Sequence, residues 1–224
     1  QKVITMKHLI NEKTKSILTP KNIGLYILGN AFISLGPVIA SASGLGACGY
    51  DAYNFRLAEI LHVNTSVVVY MSAFICLVIG AVIRKSHLHF STFIASLICG
   101  VGFDLWQTVF ANLAPESVIA RCITFVLGMS ASAFGIALCM TSGLPNNPTD
   151  DLVVAMREKN IGITRAKMTV DITACVLAFL IHASIGIGTV ILMFCLGPAV
   201  NLAYKFINNV LLRSSNVNVL QQQD

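Results

Sequence analysis

Apolar positions gather into six long runs, at roughly 22–42, 65–84, 90–110, 118–141, 164–184 and 188–211, with short polar or glycine-rich stretches between them. Each run is close to the ~20 residues that carry a helix across a hydrocarbon core ~30 Å thick. The pattern predicts an all-α integral membrane protein with six transmembrane helices. A basic segment, 1–21, precedes them and a polar tail, 212–224, follows. The first run is too long for the apolar part of a cleavable signal peptide and has a long basic, polar lead.

The runs come in two matching sets. SGLGACGYD, at Ser43–Asp51, follows the first run, and SGLPNNPTD, at Ser142–Asp150, follows the fourth. Sliding the chain by 99 positions aligns Gly29 with Gly128, Gly36 with Gly135, Ser43 with Ser142, Gly44 with Gly143, Asp51 with Asp150 and Thr65 with Thr164, without a gap. At an offset of 97 the match resumes, pairing Thr92 with Thr189, Gly100 with Gly197 and Asp104 with Asn201. Shared apolar composition explains Leu and Gly matches, but not an in-frame Ser-Gly-Leu and Asp. A duplication is therefore expected, with three-helix repeats at 22–112 and 118–211. Three is odd, so the second repeat starts from the opposite side, which is the inverted-repeat plan of many secondary transporters.

Composition agrees with this reading. Hydrophobic residues make up 55 % of the chain and charged ones 11 %, against about 25 % charged in soluble domains, and mean hydropathy is +0.76. Of the 15 basic residues, only Arg56 and Arg121 fall in loops on one side of the six-span plan. By the positive-inside rule both termini are placed in the cytoplasm. The basic residues thus read as topological signals beside the lipid bilayer, and nucleic-acid binding has no support. The seven cysteines show no zinc-ligand spacing and offer no disulfide framework. Most read as small core residues; Cys48, in a polar loop, is the one worth labelling. No metal and no cofactor is expected.

Candidate chemistry lies in the acids and in the two phrases. Asp104 and Asp171 fall well inside the third and fifth runs, where an ionisable side chain is expensive and marks a functional site by default. Asp171 is the expected proton or cation site, and Asp104 the expected core neighbour of Asn201. The alternative for either acid is a neutral carboxyl bonded to a Ser, Thr or Asn on the next helix. Asp51 and Asp150 precede short helical stretches, where they are expected to act as N-caps. The functional alternative makes each phrase a half-helix dipping into the membrane, with Gly44, Gly143, Asn146 and Asn147 exposing polar groups to a solute. Non-helical backbone at that depth requires a cavity. Small residues on the first and fourth runs, among them Gly29, Gly36, Gly135 and Cys139, predict close packing between the repeats. Pro37 and Pro198 are expected to kink their helices.

SGLGACGYD, SGLPNNPTDDL, GIGTV at Gly186–Val190 and LGPAVN at Leu196–Asn201 together resemble the YitT/YczE group of bacterial integral membrane proteins, over residues 22–206. Gly49 departs from that pattern, standing where Pro148 stands in the second phrase. The resemblance implies this fold and a bacterial inner-membrane location, but no substrate.

The expectation from sequence is a small secondary transporter or permease for an unidentified solute, proton- or cation-coupled because the core holds acids and no base. Two alternatives stand beside it: the substrate-binding subunit of an ATP-driven vitamin importer, and a non-transporting helper of another membrane protein. A homo-oligomer or a partner membrane protein fits any of the three. No nucleophile and base pair can be named, so no enzyme is expected.

Overall fold

The computed structural model describes residues 19–145 and 147–221, with side chains through residue 210. Among the described residues the chain is all helix and turn. The helices are α1 (Pro20–Ala42), α2 (Gly49–Leu61), α3 (Thr65–Arg84), α4 (Phe93–Val109, led by a 3-10 turn at Phe90–Thr92), α5 (Val118–Ser142), α6 (Pro148–Glu158), α7 (Ile163–Leu180) and α8 (Ile187–Gln221). Local chemistry sets several ends. Thr19 caps α1 by accepting from the Asn22 N–H at 3.3 Å, with Pro20 in the first turn, and Ser117 caps α5 by accepting from Ala120 at 3.2 Å.

Five helices, α1, α3, α4, α5 and α8, are long and apolar enough to cross a membrane. The fifth apolar run becomes α7, which has 18 residues and carries Arg165, Lys167 and Asp171, so it stands apart from those five. Helix α8 continues to Gln221, into the stretch expected as a polar tail. Pro37 and Pro198 both lie inside continuous helices.

At the centre α1 packs against α5, and the two run antiparallel. A Cβ on Gly29 would lie 2.9 Å from the Gly135 carbonyl oxygen, and one on Gly36 would lie 2.6 Å from that of Gly128. The contacts are reciprocal: a Cβ on Gly128 would lie 2.7 Å from the Gly36 oxygen, and one on Gly135 2.7 Å from that of Gly29. Only residues without a side chain let two backbones meet this closely.

The same reciprocity runs outward. Helix α2 packs on α7 while α6 packs on α3, and α4 packs on α1 while α8 packs on α5. Two features break it. Helices α3 and α4 pack together, whereas α7 and α8 barely touch. And α6 is fastened to α3 by Arg84, whose side chain is only 4 % exposed and whose guanidinium donates to both Asp151 carboxylate oxygens at 2.7 Å and to the Asp151 carbonyl at 2.8 Å. Glu158 adds a 3.3 Å contact to Arg84 Nε. The positions 99 residues away, Ala52 and Ala183, cannot make such a pair.

Candidate functional site

The two phrases fold alike. Each opens where a spanning helix ends, with a serine donating to the carbonyl three residues back (Ser43 to Ala40, Ser142 to Cys139, both 2.6 Å) and accepting from the N–H two residues on (Leu45 and Leu144, both 3.2 Å). The next residues, Gly44 and Gly143, turn through left-handed backbone at φ 72° and 69°, a conformation that favours glycine. Each phrase then starts a short helix whose first turn carries an aspartate. The N-caps are Cys48 and Asn147, and neither makes a side-chain capping bond. Asp51 and Asp150 therefore sit three positions inside their helices, which corrects the N-cap expectation. From there the carboxylates still complement the positive helix ends.

These two helix starts meet at one cavity of about 170 Å³. Asp51 and Asp150 line it together with Asp171, Lys167, Cys48, Asn147, Tyr26, Asn30, Tyr50 and Phe103. Its wall contains residues at the same offsets as the sequence match: Pro37 with Ile136, Ala40 with Cys139, Ala95 with Leu192 and Cys99 with Leu196. Lys167 Nζ lies 3.2 Å from Asp171 Oδ1 and 3.9 Å from Asp150 Oδ1. Asp51 has no hydrogen bond or ion pair among the described residues. Burial pushes its carboxyl up to about 7, against the opposing pull of Lys167, and burial likewise raises Asp150. Asp51 can therefore change protonation near neutral pH. Cys48, in the loop outside the apolar runs, is half-buried in this wall, and burial followed by the charges of Asp51 and Asp171 pushes it up to about 12.

The second phrase carries Pro148 and the first Gly49 for a packing reason. A Cβ on Gly49 would collide with the Cys175 side chain and lie 3.0 Å from its backbone nitrogen, so α2 needs glycine to lie against α7. The first phrase is further tied down by the Gly186–Val190 turn. Gly188 N–H donates to Leu45 O and Thr189 Oγ1 donates to Ala47 O, both at 2.8 Å.

Other expected site residues lie elsewhere. Asp104 accepts from the Ser66 N–H at 3.0 Å, and its neighbour Gln107 accepts from Thr65 Oγ1 at 2.8 Å. Asp104 thus caps α3 from a neighbouring helix, where Asn64 makes no cap bond of its own. Asn201 is exposed on α8 and does not line the cavity. The expected Asp104–Asn201 polar core does not line the cavity, because Asp104 is engaged at the start of α3 and Asn201 is exposed on α8. Gly44 and Gly143 are exposed turn residues away from the lining. Asn146 lies outside the described residues.

Against the expectation of a core with acids and no base, Lys167 stands in the cavity wall. Its signal was the Lys167–Asp171 spacing of four, which puts both on one helix face. The aromatic wall of Tyr26, Tyr50 and Phe103 was also not foreseen.

Residues 20–205 match the model of a family of unknown function, DUF6198, and the chain belongs to that family. It is 28 % identical over 174 residues to the uncharacterized protein YyaS of Bacillus subtilis (strain 168), covering 77 % of this chain and 86 % of that one. It is 22 % identical over 201 residues to an uncharacterized protein of Haemophilus influenzae Rd, covering 88 % of each. No solved structure matches the chain.

Proposed function

We propose that this member of DUF6198 is a small secondary transporter for a small solute, coupled to a proton or another cation, and that it is built as two inverted three-helix repeats. The observation that carries the reading is the convergence of both Ser-Gly-Leu…Asp phrases on one cavity. Reciprocal packing of α1 on α5, α2 on α7 and α6 on α3 supports the inversion, since antiparallel α1 and α5 are what two oppositely inserted halves require. Helix α7 would be the sixth span. At 1.5 Å per residue its 18 residues reach about 27 Å, and its charged pair Lys167–Asp171 faces the cavity. The basic-residue bias supports both termini in the cytoplasm, and the resemblance to the YitT/YczE group supports a bacterial inner membrane.

In this mechanism the half-helices α2 and α6 form the floor and roof of the site, and the repeats rock against each other about the glycine seam of α1 and α5. The buried Arg84–Asp151 pair keeps α6 with α3. Among the described residues no ion pair joins α2 to α7, and Arg56 Nε donates to the Ile181 carbonyl just past α7 at 3.3 Å, so in this reading the α2–α7 side is the more easily opened.

The test is a thermal-stability screen of purified protein in detergent with amines, organic acids and vitamins at two pH values, with Asp171→Asn alongside. A solute at a hundred times its Kd adds about 2.7 kcal/mol to the folded state. A pH-dependent rise in wild type that is lost in Asp171→Asn is expected. No shift with any solute, with the variant as stable as wild type, would move the protein to the helper class.

A further inference from the structure

The cavity has a cation of its own. The Lys167 ammonium stands within hydrogen-bonding reach of Asp171 and 3.9 Å from Asp150, while Asp51 has no hydrogen bond or ion pair among the described residues and feels Lys167 only through its charge. One ammonium thus faces three carboxylates. The same protein contains a different kind of pair in Arg84–Asp151, where a guanidinium with almost no exposure grips both carboxylate oxygens at 2.7 Å. That geometry suits permanent neutralisation. Lys167 differs in each respect: its side chain is 49 % exposed, its nearest carboxylate oxygen lies 3.2 Å away, and its ammonium sits on a flexible four-carbon stem. The rest of the wall is mixed: Tyr26, Tyr50, Phe103 and Val69 give it apolar and aromatic surface, beside the polar Asn30, Ser96, Ser132, Asn147 and Thr149. The volume of about 170 Å³ is close to the ~150 Å³ of a cavity that holds a benzene-sized guest.

We propose that the solute of this site is a small primary alkylammonium, and that Lys167 is its internal competitor, occupying the carboxylates until the solute displaces it. This rests on the transporter reading and names its substrate class. The solute's three N–H donors take the place of those of Lys167, and its short chain lies against the aromatic wall, whose ring faces also attract a cation. The displaced lysine carries its charge away from Asp171 and Asp150, so binding changes the contact between α7 and α6 in the same step. Lys167 acts here as a specificity and positioning residue.

The experiment is calorimetric titration of the full-length protein in detergent with ethylammonium chloride, against potassium chloride at equal ionic strength, for wild type, Lys167→Met and Lys167→Arg. Ethylammonium should bind wild type, and should bind Lys167→Met at least about tenfold more tightly, a difference of about 1.4 kcal/mol. Lys167→Arg should bind it no more tightly than wild type. Should Lys167→Met not fold, Lys167→Gln makes the same comparison while keeping a donor for Asp171. Equal binding by wild type and the neutral variants, or competition by potassium as effective as that by ethylammonium, overturns the proposal. Uptake into proteoliposomes separates it from the reading beneath. Ethylammonium binding with no uptake of any solute supports the site and removes the transporter. Uptake of an anionic or neutral solute with no ammonium binding keeps the transporter and overturns the site.

Discussion

Asp51 and Asp150 stand 99 positions apart in sequence and line the same cavity, each three residues into a short helix that begins there. Neither carboxylate caps its own helix. Both are under-compensated, because the cavity's lysine lies 3.9 Å from Asp150, and Asp51 has no ion pair among the described residues. Protonation of Asp51 near neutral pH therefore alters the site, and the following outcomes test this and the packing around it.

Asp51 is a source of pH dependence. Its carboxyl rises from an ordinary value of 3.8 to about 7 in the folded protein, so between those values the folded state holds a proton that the unfolded state has lost. Stability then falls as pH rises from about 4 to about 7 and levels off above. Asp150 contributes in the same direction, and Lys167 and Asp171 face both groups. Thermal melts of Asp51→Asn across pH 4 to 8 should be flatter than those of wild type; parallel curves would show that Asp51 does not titrate in this range.

Substituting the central seam should be costly. Gly36→Leu and Gly135→Leu force apart backbones already in contact and should each lower stability by 1–3 kcal/mol or more, read as a loss of Tm in detergent. Gly24→Ala, where an added Cβ meets nothing within 4 Å, should leave Tm unchanged or slightly raised.

The α3–α6 latch should behave as a buried pair. Arg84→Ala strands the Asp151 carboxylate and should cost roughly 3–5 kcal/mol. Burial pushes Asp151 up, but the hydrogen bonds and charge of Arg84 outweigh this and hold it below its usual range. The stabilisation should therefore be present at neutral pH and fade as pH drops below about 4. Melts of wild type and Arg84→Ala that converge in acid would match this sign.

Cys48 should resist labelling. With its thiol near 12, the thiolate fraction at pH 7.5 is roughly a thousandfold below that of an ordinary cysteine. Maleimide modification followed by peptide mass spectrometry should find Cys48 untouched in the folded protein and modified after denaturation. Fast labelling in the folded state would mean that the cavity opens far more than its present geometry.

Asp104 and Asp171 should separate by function. Asp104→Asn weakens a helix cap and should cost about 1 kcal/mol without changing solute-induced stabilisation. Asp171→Asn should abolish that stabilisation, and identical behaviour of the two variants would remove the distinction.

Much of this protein is legible in its linear order. Spanning helices are written as runs of apolar residues because hydrocarbon admits only backbone that satisfies its own hydrogen bonds, and five of the six runs appear as helices long and apolar enough to cross a membrane. The match at offset 99 was likewise visible, because equivalent turns need the same residues: a serine to close the helix, a glycine to turn, and an acid in the following first turn. What the sequence could not decide is which of its charged groups meet. Lys167 reads as one more basic residue at a membrane edge until α7 lies against α2 and α6 and brings it between Asp171 and Asp150. Asp104 reads as a buried functional acid until α4 lies against α3 and offers it the Ser66 N–H. Helix formation is local and follows from residue type, whereas a shared cavity depends on how close two backbones can approach, and that is set by the absence of side chains at Gly29, Gly36, Gly49, Gly128 and Gly135.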